Sequence, residues 1–290
     1  MSPPRPATTS SDRLPVSVDR PRPPPHGSPP SLDAHVPLQT PVRPSASASP
    51  LPFLSSALTA PGRVPQLRTT RAPHLYAMWR TRPGGFYGLR AEISMWGSPN
   101  QEYSQDSGAS IQIYCQDGGH YNLIEAGFHV SPSLYHNRDV RFFTYWTKDF
   151  KSASCYNLRC KGFVAASGTA LVPGQAITPP SSYGEYDHYI RLSLNKDPKS
   201  EDWVVYRHDL QTPSFLGYFP VEFCSGTPRI KALTGFVNYL NSTRGPPMGS
   251  GHFPDENDDD KTTAYFRHVK NYDSKGRAFE PITVNMAPFS

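Results

Sequence analysis

Tyr121-Asn122-Leu123-Ile124-Glu125-Ala126-Gly127-Phe128-His129-Val130 decides how the rest of the chain is read. At the two-residue period of a strand, Ile124, Ala126, Phe128 and Val130 form one apolar face, and Leu123, Glu125, Gly127 and His129 form the other. The first face suits a core, while the second carries a carboxylate. Taken alone, Glu125 reads as an exposed glutamate on a half-buried strand, because solvation is the default state of this charge.

Outward from this stretch, the chain after Phe86 is a series of short segments rich in aromatic and β-branched residues. Strands are expected over 87–96, 109–114, 123–130, 141–147, 162–170, 189–195, 203–207, 230–239 and 264–269, with Gly, Pro, Asn and Asp between them. No segment has helical periodicity. The pattern predicts an all-β fold, an antiparallel β-sandwich or jelly-roll-like double sheet. With 290 residues, 37% of them hydrophobic, the chain can bury one substantial core or two.

Residues 1–72 should not contribute to that core. They are rich in Pro, Ser and Arg, lack Glu and Lys, and show no sustained apolar period. Such a segment cannot offset the entropy of ordering and is expected to be a disordered tail ahead of a folded domain over 73–290. Pro21-Arg22-Pro23-Pro24-Pro25 reads as a solvated linker, with a polyproline ligand as the alternative. No secretory signal begins at Met1, since Pro3, Pro4, Arg5 and Pro6 lead into no apolar region. The Arg- and Ser-rich leader also has the composition of a plastid transit peptide, although its proline density opposes an amphipathic helix.

The net charge of +5 is unevenly placed. Of 29 basic and 24 acidic residues, ten Arg and three Asp lie in residues 1–82, leaving 19 and 21, or −2, for the folded part. A basic stripe for a phosphate backbone is absent there, so no nucleic-acid partner is expected. No run of 18 apolar residues suggests a membrane span.

Several chemistries find no support. Gly249-Ser250-Gly251 is too short for a nucleophile elbow, which needs a glycine two residues away on each side of the serine. Asp255-Glu256-Asn257-Asp258-Asp259-Asp260 is rich in oxygen ligands but lacks the glycine and distal glutamate of an EF-hand loop, and reads as a solvated acidic loop. Ten scattered histidines contain no His-x-x-x-His. Cys155 and Cys160 lack a second ligand pair at zinc-finger spacing. No metal and no cofactor is expected. Asn241-Ser242-Thr243 is a glycosylation sequon at Asn241, meaningful only in a secreted chain.

A set of short motifs in one order then narrows the reading. It comprises Phe86-Tyr87-Gly88, Ala91-Glu92-Ile93-Ser94-Met95-Trp96, Ile124-Glu125-Ala126-Gly127 and Val130-Ser131-Pro132-Ser133-Leu134-Tyr135. It continues with Phe143-Thr144-Tyr145-Trp146-Thr147, Cys155-Tyr156-Asn157-Leu158-Arg159-Cys160, Leu216-Gly217-Tyr218-Phe219-Pro220, Met248-Gly249-Ser250-Gly251, Phe253-Pro254 and Tyr265-Phe266-Arg267. Together they resemble the plant neprosin family, whose peptidase domain is a glutamic peptidase that cleaves after proline. The likeness runs from about residue 73 to 273.

The resemblance implies a double-sheet fold, an extracellular location, proline-containing peptides as substrates, and two catalytic glutamates. One ionised carboxylate takes a proton from water while a second, protonated one donates to the carbonyl or leaving amine. Sharing a site splits their pKa values. The first glutamate carries over to Glu125. Gln112 and Tyr114, on one face of the preceding strand, resemble cleft residues that bind the substrate carbonyl.

The second glutamate belongs to a Trp-Gly-Gly-Glu-Val motif. Here Gly235-Phe236-Val237 stands where Gly-Glu-Val is expected, and 229–239 contains no Asp or Glu in any register. Phe236 therefore occupies the partner-acid position. It shares a face with Thr234 and Asn238 and is expected to point into the cleft opposite Glu125. The nearest other acids are Glu222 and Asp255. The resemblance also implies a disulfide between Cys155 and Cys160, with two reduced thiols as the alternative; Cys115 and Cys224 read as small hydrophobic filler.

The family's signal peptide and inhibitory propeptide are not recognisable ahead of residue 73. Ser290 precedes the family's final cysteine-containing strands. The expectation is a degenerate neprosin-type domain with weak or no peptidase activity. Three classes stay open: a residual acid peptidase, a non-catalytic peptide- or polysaccharide-binding β-sandwich, and the product of an imperfect gene model.

Overall fold

Alternation at period two builds most of this molecule. The computed structural model describes Val36–Pro37 and residues 74–81, 86–239, 245–252 and 260–281. The chain divides into two units, Met1–Leu32, which lies outside the described residues, and Asp33–Ser290. Apart from Val36–Pro37, the tail expected to be disordered is likewise outside them.

In chain order the strands are β1 (Val36–Pro37), β2 (His74–Arg80), β3 (Gly88–Ser94), β4 (Gln105–Asp117), β5 (His120–Val130), β6 (Arg141–Lys148) and β7 (Ala153–Tyr156). They continue as β8 (Val164–Ala165), β9 (Tyr189–Lys196), β10 (Trp203–Arg207), β11 (Ser214–Phe219), β12 (Thr227–Tyr239), β13 (Tyr265–Tyr272) and β14 (Ala278–Phe279). Two antiparallel sheets result. One has the order β1-β13-β3-β9-β10-β11-β8, with β14 beside β13; the other runs β2-β12-β4-β5-β6-β7. The fold is all-β, as the alternating pattern predicts.

The two sheets bury their apolar faces against each other. Leu89, Ala91 and Ile93 of β3, Ile190, Leu192 and Leu194 of β9, and Trp203 and Val205 of β10 come from the first sheet. Ile111 and Ile113 of β4, Ile124, Ala126 and Phe128 of β5, Phe142 of β6 and Leu233 of β12 come from the second. Each is at most 3% exposed, so truncating a large one to alanine is expected to cost about 2–5 kcal/mol.

Residues 116–121 show why the central hairpin closes where it does. Asp117 pairs with His120, leaving Gly118-Gly119 as a two-residue loop. Gly118 has φ +59°, a left-handed conformation that glycine adopts without steric penalty.

Several elements differ from expectation. β2 reads His-Leu-Tyr-Ala-Met-Trp-Arg, apolar at both parities, and so shows no alternation. β7 has four residues, and β11 is interrupted by Gly217 at φ +143°; neither carries a clear period. The strand expected over 162–170 shrinks to Val164–Ala165. A single helical turn, Pro132–Tyr135, begins with proline, where the missing N–H is tolerated.

Cys115 is joined to Cys224, with Cα atoms 5.4 Å apart. That corrects the reading of both as lone apolar filler. The two sulfurs are fully buried all the same, and because 109 residues separate them nothing local in the sequence pairs them. Cys155 and Cys160 are joined across a Cα distance of 6.1 Å.

Candidate active site

Glu125 lies on the outer face of the second sheet. Antiparallel register places directly paired residues on the same face, so its row can be read strand by strand. Arg80 of β2, Ala232 of β12, Gln112 of β4, Glu125 of β5, Tyr145 of β6 and Tyr156 of β7 follow one another across the sheet. The next row holds Met78, Thr234, Ser110, Gly127 and Phe143. The one after it holds Tyr76, Phe236, Gly108, His129 and Arg141.

The glycine of Ile124-Glu125-Ala126-Gly127 has a local cause. A Cβ at Gly127 would lie 2.2 Å from the Ala109 carbonyl oxygen, so β4 and β5 can approach this closely beside Glu125 only with glycine there.

Glu125 is 7% exposed, not the solvated charge that its residue type alone suggests. Ser110 Oγ donates to Glu125 Oε1 at 2.5 Å, and Gln112 Nε2 donates to the same oxygen at 3.1 Å. Gln112 is itself held, because its Oε1 accepts from Tyr114 Oη at 2.7 Å and from Thr234 Oγ1 at 3.1 Å. Burial pushes the Glu125 carboxyl above the ordinary glutamate value, against the two bonds, which pull it back. Both donors converge on Oε1. Tyr114 is also pushed up, first by burial and then by the charge of Glu125.

Aromatic rings flank this carboxyl. Tyr145 and Tyr156 have ring centroids 4.5 Å apart. His129 stacks on Phe143 at 4.3 Å, with Tyr156 6.0 Å from it on the same cluster. Asn157 Nδ2 donates to Tyr135 Oη at 2.8 Å, and Tyr135 lies 2.7 Å from His129 Nε2. Burial, aided by Arg141, pushes the His129 imidazole down to about 3, so the ring is neutral over most of the pH range. Tyr76 and Tyr156 stay 55% and 39% exposed and can meet a ligand from solvent.

Phe236 shares the face of Glu125 but does not stand opposite it. Its row partners are Gly108 and Tyr76, two rows from Glu125, and its ring meets Phe143 edge-on at 6.1 Å. Directly along the row of Glu125, β12 offers Ala232; one row nearer Phe236 it offers Thr234. None is an acid. Asp106 lies on the same face, but six residues along β4 from Gln112, about 20 Å by strand rise. It cannot share one water with Glu125. Glu222 sits in a 3-10 turn and pairs with Lys161 at 2.9 Å. Asp255 and the sequon at Asn241 lie outside the described residues.

Of the expected site residues, Glu125, Gln112 and Tyr114 therefore form one hydrogen-bonded cluster. Ser110 and Thr234 join it by hydrogen bonds, and Tyr145 and Tyr156 follow Glu125 along its row, none of the four having been assigned a role from the sequence. The Met248–Gly251 motif lies elsewhere: Pro247 and Gly249 line a crevice with Ser94, Ser107, Phe128 and Tyr265 on the core side of the sheet. No helix of the described residues is long and apolar enough to cross a membrane.

A family model described as Neprosin matches residues 103–287, more than half of the chain. The chain belongs to the neprosin family. The neprosin match includes Gln112, Tyr114, Glu125 and Phe236, and it makes this a peptidase-like domain. Among solved structures it is similar to Scytalido-glutamic peptidase with a peptide-based transition-state analogue, at 12% identity over 72% of this chain and 84% of that one, TM-score 0.34. It is also similar to CG-16, a homodimeric agglutinin from chicken liver, at 11% identity over 58% and 92%, TM-score 0.26. A third is the beta-porphyranase from the human gut bacterium Bacteroides plebeius, at 9% identity over 65% and 64%, TM-score 0.27.

Proposed function

We propose that this neprosin domain binds proline-containing peptides along the outer face of its second sheet and hydrolyses them weakly or not at all. The observation that carries the reading is a single buried carboxyl, Glu125, set in a hydrogen-bonded cluster without a second acid within reach among the described residues. Peptide hydrolysis by carboxylates needs one acid and one base, and losing one of them typically costs about 10²–10⁴ in rate.

Each residue has a role in that reading. Glu125, whose protonated form burial favours, donates in that form to a peptide carbonyl through the oxygen that Ser110 and Gln112 leave unoccupied. Gln112 and Ser110 fix the carboxyl, and Tyr114 and Thr234 fix Gln112. Tyr76, Tyr145 and Tyr156 offer faces to a proline ring, since aromatic-lined grooves suit extended proline-rich segments. Phe236 is an apolar wall where the family's second glutamate is expected. Family membership and the two disulfides fit an extracellular, oxidising location.

Titration calorimetry with a proline-containing peptide tests binding apart from hydrolysis. The reading expects measurable binding that weakens when Tyr156 is changed to Ser. Absence of binding by the wild type, or equal binding by Tyr156→Ser, counts against the groove.

A further inference from the structure

The second sheet ends in an open edge. β2 is first in its order and, among the described residues, pairs only with β12, residue for residue from His74 to Arg80 without a bulge. The Thr81 N–H donates to the Lys231 carbonyl at 3.1 Å. Backbone direction alternates along an antiparallel strand, so Leu75, Ala77 and Trp79 turn their N–H and C=O groups toward β12 as Thr81 does. Tyr76, Met78 and Arg80 turn theirs outward. Unpaired groups in such a row are a template for a further strand.

Little in β2 guards that row. The strand contains no proline, glycine or lysine to oppose pairing. Tyr76 is 55% exposed, and Arg80 is exposed as well. Both lie on the outer face, with Met78 between them. Arg80 makes no ion pair or side-chain hydrogen bond among the described residues, and its neighbour on β12 is Ala232. A strand added here meets an aromatic ring and, four residues along β2, an unmatched guanidinium, both reached from solvent.

The backbone groups of a sheet edge recognise another backbone, and the side chains beside it set the preference. A guanidinium favours a carboxylate. A second copy of β2 has no acid to offer, since His-Leu-Tyr-Ala-Met-Trp-Arg contains none. We propose that the edge of β2 takes up an extended acidic peptide as an added antiparallel strand. Its carboxylate lies against Arg80, and an apolar side chain four residues nearer the peptide's C-terminus lies against Tyr76. The site shares Tyr76 with the proposed groove but needs neither Glu125 nor a proline.

Titration calorimetry of the whole protein with a blocked peptide of β-branched residues, carrying Glu and four positions later Phe, reads the preference. Changing that Glu to Gln should weaken binding about threefold to fivefold at low salt, the upper range of an exposed ion pair. Arg80→Gln should weaken the Glu peptide equally and leave the Gln peptide unchanged. Methylating the peptide nitrogen that faces Met78 removes a ladder bond and should weaken binding about fivefold or more. Methylating the next nitrogen, which faces Ala77 and points away from β2, should leave binding unchanged. The peptide changes leave the protein untouched, so they test the site even if Arg80→Gln folds poorly. No binding by the wild type, no preference for Glu, equal loss at the two nitrogens, or sedimentation of the free protein as a dimer that Tyr76→Lys dissociates would each overturn the proposal. A proline-containing peptide that binds where the acidic one does not would overturn it too, while leaving the groove standing.

Discussion

The side-chain amide of Gln112 donates to Glu125 Oε1 at 3.1 Å across a directly paired position of β4 and β5. Because Gln112 accepts from Tyr114 and Thr234 through its other end, its orientation is fixed from β4 and β12 together. Glu125 is thus held by a network on three strands rather than by one contact, and buried networks of this kind are sensitive to each member.

Ser110 supplies the shortest bond to Glu125. Its hydroxyl pulls the carboxyl down against burial, so Ser110→Ala should raise the Glu125 pKa further and lower stability by about 1–2 kcal/mol. Carbon-detected NMR of the glutamate carboxyls reads the first effect and urea melts read the second. A Glu125 titration unmoved by the substitution would show that the hydroxyl does not engage the carboxylate.

The same carboxyl should make stability depend on pH. Its folded-state pKa is raised above the ordinary value of 4.5, so between the two values the folded protein holds a proton that the unfolded chain has released. Its contribution is therefore fully present below the unfolded value and is lost as pH rises through the folded one. Relative to Glu125→Gln, the wild type should lose stability as pH rises above about 4.5. Denaturant melts at a series of pH values check this, and a wild-type advantage that grows with pH would refute it.

His129 should act with the opposite sign. Its folded-state pKa is pushed down to about 3 from 6.5, so as pH falls through 6.5 the unfolded chain takes up a proton that the folded protein refuses. Stability should fall with acid down to about pH 3. His129→Phe keeps a stacking ring beside Phe143 and removes the titrating group, and it should flatten this limb of the profile. An unchanged acid limb in the variant would assign the effect to other groups.

Removing the Cys115–Cys224 bridge as paired serines should lower stability by about 5 kcal/mol, and removing Cys155–Cys160 by about 2, in the chain-entropy account of loops of such different length. Melts of the two double variants under non-reducing conditions give the comparison. A larger loss from the short loop would show that native-state contacts, not loop closure, dominate.

Much of this architecture is legible in the chain because period-two patterns survive wherever one face is core. Ile124, Ala126 and Phe128 are read correctly from their spacing alone, and so is the sharing of one face by Thr234, Phe236 and Asn238. What escapes is whatever depends on pairing between strands. Ser110 lies at the same parity as Gln112 and Tyr114, a signal that could have placed it beside Glu125, but its bond needs the β4–β5 register. The displacement of Phe236 from the Glu125 row likewise follows from register between β12 and β4, which no local pattern encodes. Cys115 and Cys224 look like filler because each is apolar in its surroundings, and only the tertiary approach of the β4 end to the turn before β12 joins them. Glu125 itself reads as exposed because side-chain type predicts solvation, whereas the groups beside it, Ser110 and Gln112 of β4 and Tyr145 of β6, are brought there by strand pairing.

The central claim is that one buried carboxyl without an acid partner does not sustain peptide hydrolysis. Its most direct test is cleavage of a proline-containing peptide at mildly acidic pH, followed by mass spectrometry, for the wild type and for Glu125→Gln. The account predicts that both give cleavage at or near background, while the wild type still binds the peptide. Robust wild-type cleavage that Glu125→Gln abolishes would contradict it, and would mean that another acid completes the site.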